Sequence, residues 1–245
     1  MKGKPLHVDG PNWRVDARPE PRLMVSLETD TAASWHSLWK MDDRVEMKAY
    51  WNLETGEAKA DISLFGPAAQ YLGLNQPQDL LTDWAATWGE EAEASNITIR
   101  NLTPAILQGS LDIKADMPEA DDDGFVLLTP PFPPLSPSDF RPAGINQALC
   151  EVAWLPENTL SYDCEWELVL PEGWKVKLPQ STSDDFAKGS FSVSAAREGA
   201  RIGLRYTLVW NEAPVSTSDW PSFRKSMLDA LDTSILQLVL KESVE

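Results

Sequence analysis

Two stretches of the chain alternate apolar and polar residues with a period of two, the signature of a strand with one face buried. In the first, Val45, Met47, Ala49 and Trp51 alternate with Glu46, Lys48 and Tyr50. Turn chemistry follows at Asn52-Leu53-Glu54-Thr55-Gly56-Glu57, and then Ala58, Ala60, Ile62 and Leu64 alternate with Lys59, Asp61 and Ser63. This is the pattern of a β-hairpin. In the second stretch Tyr162, Cys164, Trp166, Leu168 and Leu170 alternate with Ser161, Asp163, Glu165 and Glu167, apolar in and acid out. Cys150, Val152 and Trp154 precede it across a loop at Pro156-Glu157-Asn158. Phe191, Val193 and Ala195 are expected to pair with Ile202 through Trp210 around a turn at Arg197-Glu198-Gly199-Ala200. Shorter strands are expected at 23–27, 96–102, 110–115, 125–128, 174–178 and 235–240.

Two segments show helical spacing instead. Leu80, Leu81, Trp84 and Trp88 fall on one stripe, with Pro77 in the first turn and Gly89 at the end. Trp220, Phe223, Met227, Leu228 and Leu231 form a second stripe, with Asp219 as N-cap and Pro221 in the first turn. Between residues 116 and 144 lie Asp121-Asp122-Asp123-Gly124 and then Pro130, Pro131, Pro133, Pro134, Pro137 and Pro142. Each Pro removes a ladder donor, so most of this segment cannot continue a sheet, and a domain boundary is expected near residue 140. The reading is a mostly β protein of two antiparallel, sandwich-like modules, 1–140 and 141–245, each with one packed helix.

Composition narrows the function classes. The chain has 245 residues, 38 acidic against 21 basic, and a net charge of −17. The acidity is distributed, with −11 over residues 1–135 and −6 over 136–245. Nucleic acid and anionic membrane surfaces are therefore not expected as partners. No apolar run reaches the length of a transmembrane helix, and Met1–Asp9 lacks the apolar core of a signal peptide.

The order of features from Leu149 to Leu240 is distinctive. An alternating strand runs into Leu170-Pro171-Glu172-Gly173-Trp174 and Lys177-Leu178-Pro179, then come the Phe191 and Arg205–Trp210 strands, and Trp220-Pro221-Ser222-Phe223-Arg224 opens a helix. This resembles the C-terminal β-rich domain of unknown function in bacterial transglutaminase-like multidomain proteins. Upstream, Trp51–Ala58 running into Phe65-Gly66-Pro67-Ala68-Ala69 is similar to the module that follows the catalytic core in that family. The resemblance implies a non-catalytic accessory or interaction module. Its partner would be a transglutaminase-like catalytic domain in cis, or another protein, in a periplasmic or secreted setting. The family's core works through a Cys, a His and an Asp, and none of the three can be carried onto this chain.

Cys164 lies between Asp163 and Glu165, and Glu151 follows Cys150, so neither thiol has the cationic surroundings of a nucleophile. A hairpin symmetric about Glu157 would set Cys150 opposite Cys164, which makes that pair a candidate cross-strand disulfide. His7 and His36 have no companion at ligand spacing, Asp121–Asp123 lack the Glu of a calcium loop, and no metal or cofactor is expected. Asn96-Ile97-Thr98 and Asn101-Leu102-Thr103 match the glycosylation sequon, a common motif. There are 11 Trp. Trp51, Trp84, Trp88, Trp154, Trp166, Trp210 and Trp220 fall on expected inward positions. Trp35, Trp39 and Trp174 are the candidate surface aromatics, and the alternative function is glycan binding by a β-sandwich module through their faces.

Overall fold

The structure is a computed structural model that describes residues 22–24, 34–36, 42–67, 69, 77–103, 106–142, 144–149, 159–186, 188–211 and 214–242. It is mostly β, with a large mixed sheet and a smaller one. The short strands β1 (Arg22–Met24) and β2 (Ser34–His36) pair with each other. The expected hairpin forms from β3 (Asp43–Asn52) and β4 (Glu57–Phe65). Asn52 Oδ1 accepts from the backbone N–H of Glu54 and Thr55 and so closes the turn between them.

Helix α1 (Pro77–Ala85) then leads through a 3₁₀ turn (Ala86–Trp88) into β5 (Glu93–Thr103) and β6 (Ile106–Lys114). Gly109 on β6 lets α1 lie close to the sheet, because a Cβ there would sit 3.0 Å from Leu81 Cδ1. β7 (Phe125–Leu128) follows. The second half contributes β8 (Leu160–Val169), β9 (Trp174–Lys177), β10 (Thr182–Phe186), β11 (Gly189–Glu198), β12 (Arg201–Trp210), helix α2 (Trp220–Leu231) and β13 (Leu238–Glu242).

Among the described residues the large sheet has eight strands in the order β10-β11-β12-β8-β3-β4-β6-β5, and β7-β13-β9 form a three-stranded sheet. The expected boundary near residue 140 does not separate two sheets. β3 and β8 run parallel through ten register pairs, from Asp43↔Leu160 to Asn52↔Val169. β7 and β13, again from opposite sides of the boundary, pair antiparallel. A parallel pair needs a long crossover, and everything between residues 53 and 159 supplies it.

The Pro-rich segment therefore does not act as a linker. Pro130, Pro133, Pro137 and Pro142 are buried, and Phe132 packs edge-on against Tyr162, Trp166 and Tyr206 at centroid distances of 6.1, 5.5 and 5.1 Å. A segment so placed must satisfy its carbonyls without a ladder. Core side chains do this: Trp166 Nε1 donates to Pro131 O, Trp84 Nε1 to Phe132 O, Tyr162 Oη to Leu135 O and Trp220 Nε1 to Gln147 O. Trp84 and Trp166 thus hold the Pro-rich segment, and Trp220 holds the stretch just after it. The segment forms a cover over the inner face of the large sheet, and the indoles hold it there.

Candidate functional site

The inner face of the large sheet is sealed. Trp51, Trp84, Trp88, Trp166, Trp210 and Trp220 are all buried, as their spacing predicts, while Trp154 lies outside the described residues. Cys164 is a free thiol with no exposed surface. Its neighbours across the two flanking strands are Met47 on β3 and Tyr206 on β12. The expected disulfide partner, Cys150, lies outside the described residues. Burial is the main reason that the Cys164 thiol and the Tyr162 and Tyr206 hydroxyls are pushed well up from their ordinary values. Tyr206 Oη donates to Ala230 O at the end of α2, so both tyrosines are committed to backbone carbonyls.

The outer face carries the charge. Because side chains alternate, every inward residue of β3, β4, β6, β8 and β12 has an outward neighbour. The outward acids of β8 meet bases from the strands on either side. Arg205 grips Asp163 with both ends of its guanidinium, Nε at 3.0 Å and Nη2 at 2.7 Å, and lies 3.5 Å from Glu165. Arg201 binds Glu167 at 2.7 Å, and Lys48 lies 3.7 Å from Glu165. Further along, Lys59 lies 3.5 Å from Asp112, which also accepts from Asn96 Nδ2 at 2.8 Å. Arg44 pairs with Glu46. The hydrogen bond from Asn96 is the main cause holding the Asp112 carboxyl below its usual range, and the hydrogen bonds that Arg205 donates to Asp163 raise Arg205 further.

The remaining candidate residues have other surroundings. Trp174 is half-buried against the core. Its backbone pairs with Glu242 and its carbonyl accepts from Arg197 Nη2 at 3.4 Å. Trp35 is on β2 opposite Leu23, His36 is its neighbour on that strand, and Trp39 and His7 lie outside the described residues. Of the three candidate surface tryptophans, Trp174 is the one whose side chain lies among the described residues. Asp121 Oδ1 accepts from the backbone N–H of Asp123 and of Phe125, at 3.0 and 2.8 Å, and shapes the turn into β7. An acidic depression of about 560 Å³ is lined by Glu90, Glu91, Ala92, Glu93, Lys114 and Asp116, and its Lys114 donates to Thr55 O. Among the described residues no group of His, Cys, Asp and Glu could hold a metal ion, and no helix is long and apolar enough to cross a membrane.

Comparison with known proteins bears on the second half. Residues 157–240, from just before β8 into β13, match the family described as a domain of unknown function with solved structure, DUF3858. The expected similarity of this region to a β-rich domain of unknown function therefore holds. No curated protein matches the chain. Among solved structures, a Parabacteroides distasonis protein provisionally named a protease is similar over 49% of this chain, at 13% identity and a TM-score of 0.43. The similar region covers 24% of that protein, so this chain spans only about a quarter of its length.

Proposed function

We infer that this chain is a non-catalytic accessory module that supports a catalytic domain of the transglutaminase-like type, in cis or on another protein. The observation that carries the reading is geometric: the buried tyrosine hydroxyls are bound to backbone carbonyls, and the outward acids of β8 are paired with bases of the neighbouring strands. Acid–base and nucleophilic catalysis call for groups tuned toward neutral pH and presented to substrate. Among the described residues, the groups whose ionisation is shifted move the other way. Cys164, Tyr162 and Tyr206 are sealed and held neutral, while Arg205, Lys225 and Asp112 are exposed and held charged. Such a molecule spends its polar chemistry on a firm, one-sided sheet, which suits a scaffold that positions something else. The resemblance of the 149–240 region to the tails of transglutaminase-like proteins names that something.

Two measurements test the reading. The first is the DNA sequence upstream of Met1, read in frame and in the neighbouring genes, for a domain with a Cys, His and Asp core. Where one is found, adding or fusing this chain should raise its melting temperature or turnover; no effect on either overturns the support role. The second is an assay of the purified chain for amide hydrolysis and acyl transfer. Turnover that survives Cys150→Ala with Cys164→Ala would overturn the non-catalytic reading.

A further inference from the structure

We propose that the outer face of β4, β6 and β5 is a binding site for a sugar acid, with Arg100 as the carboxylate anchor. This goes beyond the accessory role and does not depend on it. The outer face divides into two regions. Across β12, β8 and β3 the charges are paired laterally, as described above. Across β4, β6 and β5 two rungs of polar side chains lie side by side: Ser63, Gln108 and Arg100 on one, Asp61, Ser110 and Thr98 on the next. Among the described residues these six side chains hold no hydrogen-bonded or ionic partner. Together with Ile62 and Gly109 they line a shallow groove of about 360 Å³.

The chemistry of the lining selects the ligand. Arg100 offers a planar fork of donors that matches one carboxylate bidentately. Around it, four neutral hydroxyl and amide side chains both donate and accept, as ligand hydroxyls require. Asp61 accepts from a further hydroxyl and, with the net charge of −17, opposes a more highly charged group such as a phosphate. A peptide ligand would need apolar pockets, but Ile62 is 2% exposed, facing the core, and Gly109 has no side chain. One carboxylate surrounded by hydroxyls is the description of a uronic acid, and the groove has room for one or two rings. Its openness to water makes millimolar binding the expected strength.

The test is an amide-resolved NMR titration of the full chain with digalacturonic acid, its neutral counterpart digalactose, and acetate, each to about 20 mM, well above the expected Kd. The expected result is shifts centred on residues 61–63, 98–100 and 108–110, with digalactose and acetate each weaker by roughly fivefold or more. Arg100→Gln should weaken digalacturonate roughly tenfold or more, since a charge-assisted pair is lost. Arg100→Lys should fall between, and the ion-paired control Arg201→Gln should bind as the parent does. No shifts, shifts centred elsewhere, or equal binding of the neutral sugar would overturn the proposal. So would acetate binding as tightly as the sugar acid, or an unchanged affinity in Arg100→Gln with its spectrum intact.

Discussion

The indole of Trp166, on β8, donates to the carbonyl of Pro131 at 3.1 Å, joining the centre of the large sheet to the Pro-rich segment laid over it. Pro131 is followed by Phe132 and then Pro133, so the segment has little ladder chemistry of its own. Removing the donor while keeping the ring tests whether the latch matters. Trp166→Phe leaves Pro131 O unsatisfied in a partly buried place and opens a small void. Together these should cost about 2–4 kcal/mol. Urea unfolding of the variant against the parent measures it. A loss below about 0.5 kcal/mol would mean that water replaces the indole and that the segment is held by packing alone.

Much of this architecture was legible locally. The alternation at Val45–Trp51, Ala58–Leu64 and Tyr162–Leu170 faces inward as read, and the β11–β12 hairpin turns within the expected Arg197-Glu198-Gly199-Ala200. What was not legible depends on distant partners. β10 carries no signal of its own, because Thr182-Ser183-Asp184-Asp185 has no alternation; it is a strand because β11 lies beside it. The strand expected at 174–178 forms over Trp174–Lys177, but it lies in the smaller sheet and pairs there with β13, a partner its own sequence does not name. The parallel register of β3 on β8 leaves no mark in either strand, so a run of prolines read as a boundary. The outward acids of β8 were visible, but not the Arg201, Arg205 and Lys48 that meet them from other strands. Arg100 gave no signal at all, because the row it shares with Gln108 and Ser63 exists only once three strands are aligned.

A pair of glycines offers a matched test of the close packing at the sheet edge. At Gly189, the first residue of β11, an added Cβ would lie 2.3 Å from Val209 O and 2.5 Å from Phe186 Cε2. At Gly203, in β12, it would meet nothing within 4 Å. Gly189→Ala should destabilise by about 2 kcal/mol or more, as overpacking does. Gly203→Ala should be neutral or gain a few tenths of a kcal/mol, because glycine weakens a strand interior. Thermal melts of the two variants decide it, and equal melting temperatures would contradict the tight approach of β12 to Gly189.

The ionic ladder on the outer face should contribute much less than the buried latch. Arg205 and Asp163 make two good hydrogen bonds, but the side chains are 50% and 34% exposed. Exposed pairs of this kind contribute up to about 1 kcal/mol and are screened by salt. Arg205→Gln is expected to cost less than Trp166→Phe in the same urea titration, with the difference from parent shrinking at high salt. A cost equal to that of the indole variant would show that the ladder holds the eight strands in register.

The alkaline limit of stability follows from the sealed hydroxyls and thiol. Burial raises the ionisation of Cys164 above its ordinary 9.0 and of Tyr162 and Tyr206 above their ordinary 10.0. In the unfolded chain these groups lose protons at the ordinary values, while the folded chain keeps them. A raised folded value therefore gives stability that is complete below the unfolded value and is lost as the pH climbs toward the folded one. Between the two, each group removes about 1.4 kcal/mol per pH unit. The urea midpoint should hold level to about pH 8.5, decline as Cys164 titrates in the unfolded chain, and decline more steeply above about pH 10 when both tyrosines join. Tyr206→Phe should lower the midpoint at neutral pH, by orphaning Ala230 O, and yet make the alkaline slope shallower by one group. A variant with the parent's slope would mean that Tyr206 ionises within the folded protein and is not sealed.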